Sequence, residues 1–88
     1  MQRKQIKIDL IIDLHGMNLD EAFAMLKNNL SKSNNKKILV ITGKSGVMHD
    51  LVPRWATYNK DVFYKIREIK KAPNHMGGDG AFIIYLNN

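Results

Sequence analysis

The chain has 88 residues, enough for one domain and too few for a second core. Its 44% hydrophobic and 25% charged residues are those of an ordinary globular domain, and the absence of cysteine excludes disulfides and thiolate metal sites. Fourteen Lys and Arg against eight Asp and Glu leave a formal net charge of +6, which attracts polyanions such as nucleic acid.

Residues 1–7 read as a basic tail ahead of a domain over 8–88. Asp9 and Asp13 interrupt the apolar stretch after the tail, which argues against a secretory signal. No run approaches the roughly 20 apolar residues of a membrane span, so a cytoplasmic protein with no membrane partner is expected.

The first element is the run Ile8-Asp9-Leu10-Ile11-Ile12-Asp13-Leu14-His15-Gly16. As a strand it turns Leu10, Ile12 and Leu14 to a buried face and sends Asp13 and His15 out of the other. Asn18 then suits an N-cap, with Glu21 three residues on completing a capping box. Leu19, Ala22, Phe23, Leu26 and Leu30 follow with helical spacing, and the basic loop 31–37 ends that helix.

Ile38-Leu39-Val40-Ile41 reads as a strand buried on both faces, which completes a βαβ unit. Thr42-Gly43-Lys44-Ser45-Gly46 follows it. The Gly-Lys-Ser triplet is not a P-loop, because Ile38 stands where that motif requires its first glycine. What remains is a basic glycine loop. Either its N–H groups and Lys44 hold a phosphate, or its glycines only supply positive φ.

A second helix is expected from about 48 to 58, and a start at Asp50 as N-cap would place Pro53 harmlessly in the first turn. Trp55 reads as a core residue rather than a base-stacking platform. A charged third strand is expected over 62–69, an extended loop over 70–80 and a final antiparallel strand over 81–86. The order is βαβαββ: an α/β chain, more strictly an α+β two-layer sandwich, with two helices on one face of a four-stranded mixed sheet.

Strands one and two leave their carboxyl ends on one edge, where α/β proteins bind ligands, and an antiparallel last strand starts there too. One site can therefore be built from Asp13-Leu14-His15-Gly16, the 42–46 loop and Gly77-Gly78-Asp79-Gly80. These motifs, in this order and spacing, resemble the Smr (small MutS-related) domain found at the C-terminus of MutS2 proteins and as standalone proteins. The likeness covers roughly residues 8–86 and rests on Asp-Leu-His-Gly at 13–16, Thr-Gly at 42–43, the segment from Gly46 to Trp55 and Gly-Gly-Asp-Gly-Ala at 77–81.

The resemblance implies a fold similar to the C-terminal domain of translation initiation factor three and a nuclease that nicks or cleaves DNA or RNA. It carries Asp13 and His15 over as catalytic, with Thr42 and Gly43 from the second motif and Gly77, Gly78 and Gly80 from the third; the residue-level reading of the loops adds Gly16, Lys44, Ser45 and Gly46 to the phosphate-binding surround. The chain departs from the family pattern in the second motif. Ser45 replaces the second glycine of a Gly-x-Gly in a loop one residue shorter, and Met48-His49 replaces a Leu-Arg pair. His49 or Arg54 is left to substitute for the missing arginine as phosphate clamp.

In the chemistry this suggests, His15 is general acid or base, since an imidazole titrates near neutral pH, and Asp13 orients it or favours its charged form. Lys44 and the loop amides would stabilise the charge developing on the phosphate. With RNA the substrate's own 2′-OH can serve as the nucleophile and no metal is needed; with DNA a water must be activated, for which Asp13 is the candidate to hold a divalent ion, although one carboxylate and one His make a poor metal site. His75 lies in the third loop, where a plain loop role is the expectation. The expected partner is DNA or RNA, with a ribosomal surface as the seat of a non-catalytic alternative, and a monomer is expected.

Overall fold

The computed structural model describes residues 7–32, 37–44, 46–59 and 63–87. The basic tail, apart from Lys7, and Ser45 lie outside the described residues. The elements run β1 (Leu10–Asp13), α1 (Leu19–Lys32), β2 (Lys37–Ile41), α2 (Val47–Tyr58), β3 (Ile66–Lys71) and β4 (Ala81–Leu86), with two short 3-10 turns at Asn74–Met76 and Gly78–Gly80. The sheet order is β1-β2-β4-β3. β1 and β2 are parallel, and β4 is antiparallel to both β2 and β3.

Alternation along the strands gives the sheet two apolar faces. Ile12, Leu14, Ile38, Val40, Phe82, Ile84 and Leu86 form one core with Ala22, Leu26 and Leu30 of α1 and Met48 and Val52 of α2. Leu39, Ala81 and Ile83 alternate with these and form a second cluster with Ala72. β2 and β4 are thus apolar on both sides, which is why their sequences run apolar without a break. The helices are tied together by Phe23, whose ring meets Trp55 edge-on at 5.0 Å and Phe63 at 5.6 Å. Trp55 is therefore packed against the core.

Two elements differ from the sequence reading. α2 starts at Val47 behind an uncapped Gly46, so Pro53 falls inside the helix instead of its first turn. Burial decides the register: Met48 and Val52, four apart, both enter the core, and excluding Met48 from the helix would expose that face. An interior proline costs about 3 kcal/mol and leaves the carbonyl four residues back without its helical donor.

β3 starts at Ile66 and runs on to Lys71. Phe63 donates its N–H to the Asn59 carbonyl at 2.9 Å and is buried, so it belongs to a helical turn rather than the strand. Lys70 and Lys71 pair with Ile83 and Phe82. Charge there is compatible with a strand because β3 is an edge, where solvent meets the outer side chains.

Candidate functional site

Strand pairing lines up Asp13, Ile41 and Ala81 across β1, β2 and β4. With neighbouring strands about 4.8 Å apart, the three motif loops leave one sheet edge within roughly 10 Å of each other.

At the end of β1 the Leu14 N–H still donates to the Ile41 carbonyl at 2.8 Å, and the chain then turns. Asp13 Oδ1 accepts the His15 backbone N–H at 3.1 Å and lies 2.6 Å from His15 Nδ1. A carboxylate only accepts, so Nδ1 carries the hydrogen and Nε2 is the nitrogen left for an outside partner. The His15 side chain is 67% exposed. The bond from the ring holds the Asp13 carboxyl below the ordinary carboxylate value, partly offset by desolvation, with lesser help from the backbone N–H and the imidazole charge.

The second and third motifs are built into each other. The Gly80 carbonyl accepts N–H groups from Thr42 at 2.8 Å and Gly43 at 3.0 Å, and the buried Thr42 hydroxyl has it at 3.3 Å and the Gly43 carbonyl at 3.0 Å as acceptors for its single hydrogen. A Cβ at Gly80 would stand 3.3 Å from the Gly43 carbonyl carbon and 3.4 Å from the Lys44 nitrogen. Gly77, Gly78 and Gly80 donate their own N–H groups to Asn74, Pro73 and Gly77 carbonyls. The amides of Thr42, Gly43, Gly77, Gly78 and Gly80, expected to cradle phosphate, are therefore spent inside the protein. These residues brace the edge by letting two backbones meet.

The charges sit around that brace. Lys71 pairs with Asp79 and holds its carboxyl below the ordinary value, and Lys44 and His49 add their pull. His49, in the first turn of α2, is half-buried with its ring 5.6 Å from Phe82. Arg54 is exposed seven residues beyond Val47, roughly 10 Å along the helix, so it is not brought to the edge. His75 is exposed on the Asn74–Met76 turn. Among the described residues no three His, Asp or Glu side chains gather where they could hold a metal ion. Asp13 and His15 alone, bonded to each other, make a poor donor set.

One feature of the edge has no counterpart in the sequence reading. A cleft of about 380 Å³ opens between the first turns of the two helices, over Leu14 and Thr42. Met17, Asn18 and Leu19 line it on the α1 side, and Val47 and Met48 on the α2 side. Asn18 caps α1 by accepting the Glu21 N–H on Oδ1 at 2.9 Å. The available signal was an apolar residue, Leu19 or Val47, opening each helix, but the misplaced start of α2 hid it.

A family model for the Smr domain matches residues 12–87. Two relatives named ribosome rescue factor SmrB match over nearly the whole chain. The one from Pasteurella multocida (strain Pm70) is 30% identical over 96% of this chain and 50% of its own length. The one from Shewanella sp. (strain ANA-3) is 28% identical over 99% of this chain and 49% of its own. The chain thus spans about half the length of the curated relatives it matches. The crystal structure of the Smr domain of Thermus thermophilus MutS2 superposes with a TM-score of 0.77 at 20% identity, covering 89% of this chain and 98% of that one, a likeness of fold. A family match over most of the chain, with the fold to go with it, makes this chain a member of the Smr domain family.

Proposed function

We propose that the chain is a Smr-type endonuclease whose preferred substrate is RNA, cut without a metal ion. The observation that carries the reading is the exposed His15 imidazole clamped through Nδ1 to Asp13 at 2.6 Å. A ring fixed at one nitrogen presents the other in a defined direction, as a general base requires. His15 Nε2 takes the proton of the 2′-OH, the 2′ oxygen forms its bond to phosphorus, and the bond to the 5′ oxygen breaks. The departing oxygen takes a proton from solvent. Lys44 offsets the charge gathering on the phosphate. The relatives' name, ribosome rescue factor, supports RNA at a ribosome as the working context.

The test is incubation of the purified chain with single-stranded RNA and with supercoiled plasmid, with and without EDTA, beside His15→Ala. The expected result is RNA cleavage that leaves a 2′,3′-cyclic phosphate, survives EDTA and disappears in the variant. Binding that weakens steeply with salt, without cleavage of either substrate, would replace the reading with a non-catalytic nucleic-acid or ribosome-binding module. That second reading is favoured by the amides of Thr42, Gly43, Gly77, Gly78 and Gly80, which are bonded to backbone carbonyls and so do not face an oxyanion.

A further inference from the structure

We propose that the cleft between the first turns of α1 and α2 seats one unpaired nucleobase next to the phosphodiester handled at Asp13 and His15, an inference that rests on the nucleic-acid reading above. It is an open cleft of about 380 Å³, at the small end of ligand clefts, which run roughly 300–1,000 Å³, and it has room for one ring system.

The chemistry of its walls matches a base. Met17 and the edge of Met48 give apolar surface over the buried Leu14, and Leu19 and Val47 stand 44% and 59% exposed at the rim. A nucleobase is flat, weakly solvated on its faces and polar on its edge. Asn18 meets that edge: its Oδ1 is taken by the Glu21 N–H, so its amide NH₂ remains to donate to a base carbonyl.

Charge places the backbone. Gly16 lies in the cleft wall and follows His15 directly, while Lys44 stands two residues after Thr42, which lies at its floor. A strand with its base in the cleft therefore carries its adjacent phosphate past the imidazole and the ammonium. A paired base cannot enter, so the site selects single strands by access. Lacking an aromatic wall, it holds bases weakly and with little preference among them.

The test compares binding, by fluorescence polarisation, of a labelled oligouridylate and an abasic ribose-phosphate oligomer of equal length. The two carry the same charge. The chain is expected to bind the base-bearing strand about fivefold or more tightly, the low end of what a seated base contributes. Leu19→Ser and Val47→Ser, neutral changes at exposed positions, should erase that difference and leave the salt slope unchanged. Lys44→Ala should instead weaken both strands alike and reduce the slope by about one. Equal binding of the two oligomers, or a difference that survives both serine variants, overturns the base seat; if RNA is still cleaved, the nuclease reading stands without it. Binding of neither oligomer, with no cleavage, sinks both.

Discussion

Asp13 uses a single carboxylate oxygen for both the backbone and the ring of His15. That economy makes Asp13→Asn informative, because the amide keeps the shape but offers the imidazole no charge. We expect RNA cleavage to fall about 10²-fold, within the range for a positioned acid–base group, while affinity hardly changes because Lys44 still meets the phosphate. Both side chains are exposed, so an unaltered circular dichroism spectrum is the accompanying control. Affinity falling in step with rate would mean that Asp13 shapes the binding surface rather than the reacting base. Gly77 makes the opposite case. Its φ is +113° and a Cβ there would stand 2.9 Å from the Ala81 Cβ. Gly77→Ala should cost about 1–3 kcal/mol in urea unfolding, strain and clash together. The Asp13–His15 pair is legible in the sequence as a spacing of two, but β1 ends at Asp13, and it is the turn after Leu14, with the His15 N–H on Asp13 Oδ1, that brings the ring to the carboxylate. The work of the glycines was not legible, since no local pattern says which carbonyl, 38 residues away in the case of Thr42 and Gly80, will take an N–H.

At the scale of elements, α2 shows local signals outvoted by packing. Asp50 and Pro53 together resemble a helix start, yet the core claims Met48 as well as Val52. The first turn of α2, which carries His49 and one wall of the cleft, is consequently held with one hydrogen bond fewer. Thr57 returns its hydroxyl to the Pro53 carbonyl at 2.9 Å but cannot replace the missing donor at Pro53 itself. Pro53→Ala should therefore stabilise the chain by about 1–3 kcal/mol, read as a higher urea midpoint with an unchanged slope. No gain would mean that the helix already bends around the proline without cost. β3 departs from its sequence pattern for a related reason. Phe63 alternates as a strand residue would, but its ring joins Phe23 across the helix layer, and a two-residue period cannot reveal a partner on another element. α1 was read well because its cap, stripe and end agree. Asn18 caps it, and Ala22, Leu26 and Leu30 bury one face.

For the whole molecule, stability and the proposed nucleic-acid binding draw on the same cations. Asp79 stands among Lys71, Lys44 and His49, and its carboxyl is held below the ordinary value, as is that of Asp13. A carboxyl depressed in the folded state contributes stability that is fully present above its unfolded value, about 3.9, and lost as pH falls through its folded value. Both contributions are therefore constant from about pH 5 to 8 and vanish at the acid end, where rising positive charge adds repulsion. Asp79→Asn should leave a shallower loss of urea midpoint between pH 5 and 3. A loss as steep as that of the unaltered chain would assign the acid sensitivity elsewhere. At neutral pH the same substitution should act on binding in the opposite sense. It removes a carboxylate that Lys71 bonds and that Lys44 and His49 pull on, and raises the net charge above +6. Single-stranded RNA should then bind a few-fold more tightly, with a salt slope steeper by about one as Lys71 becomes free to meet a phosphate. Tighter binding at an unchanged slope would show Lys71 still turned away from the strand, and the gain would then belong to relief of repulsion alone.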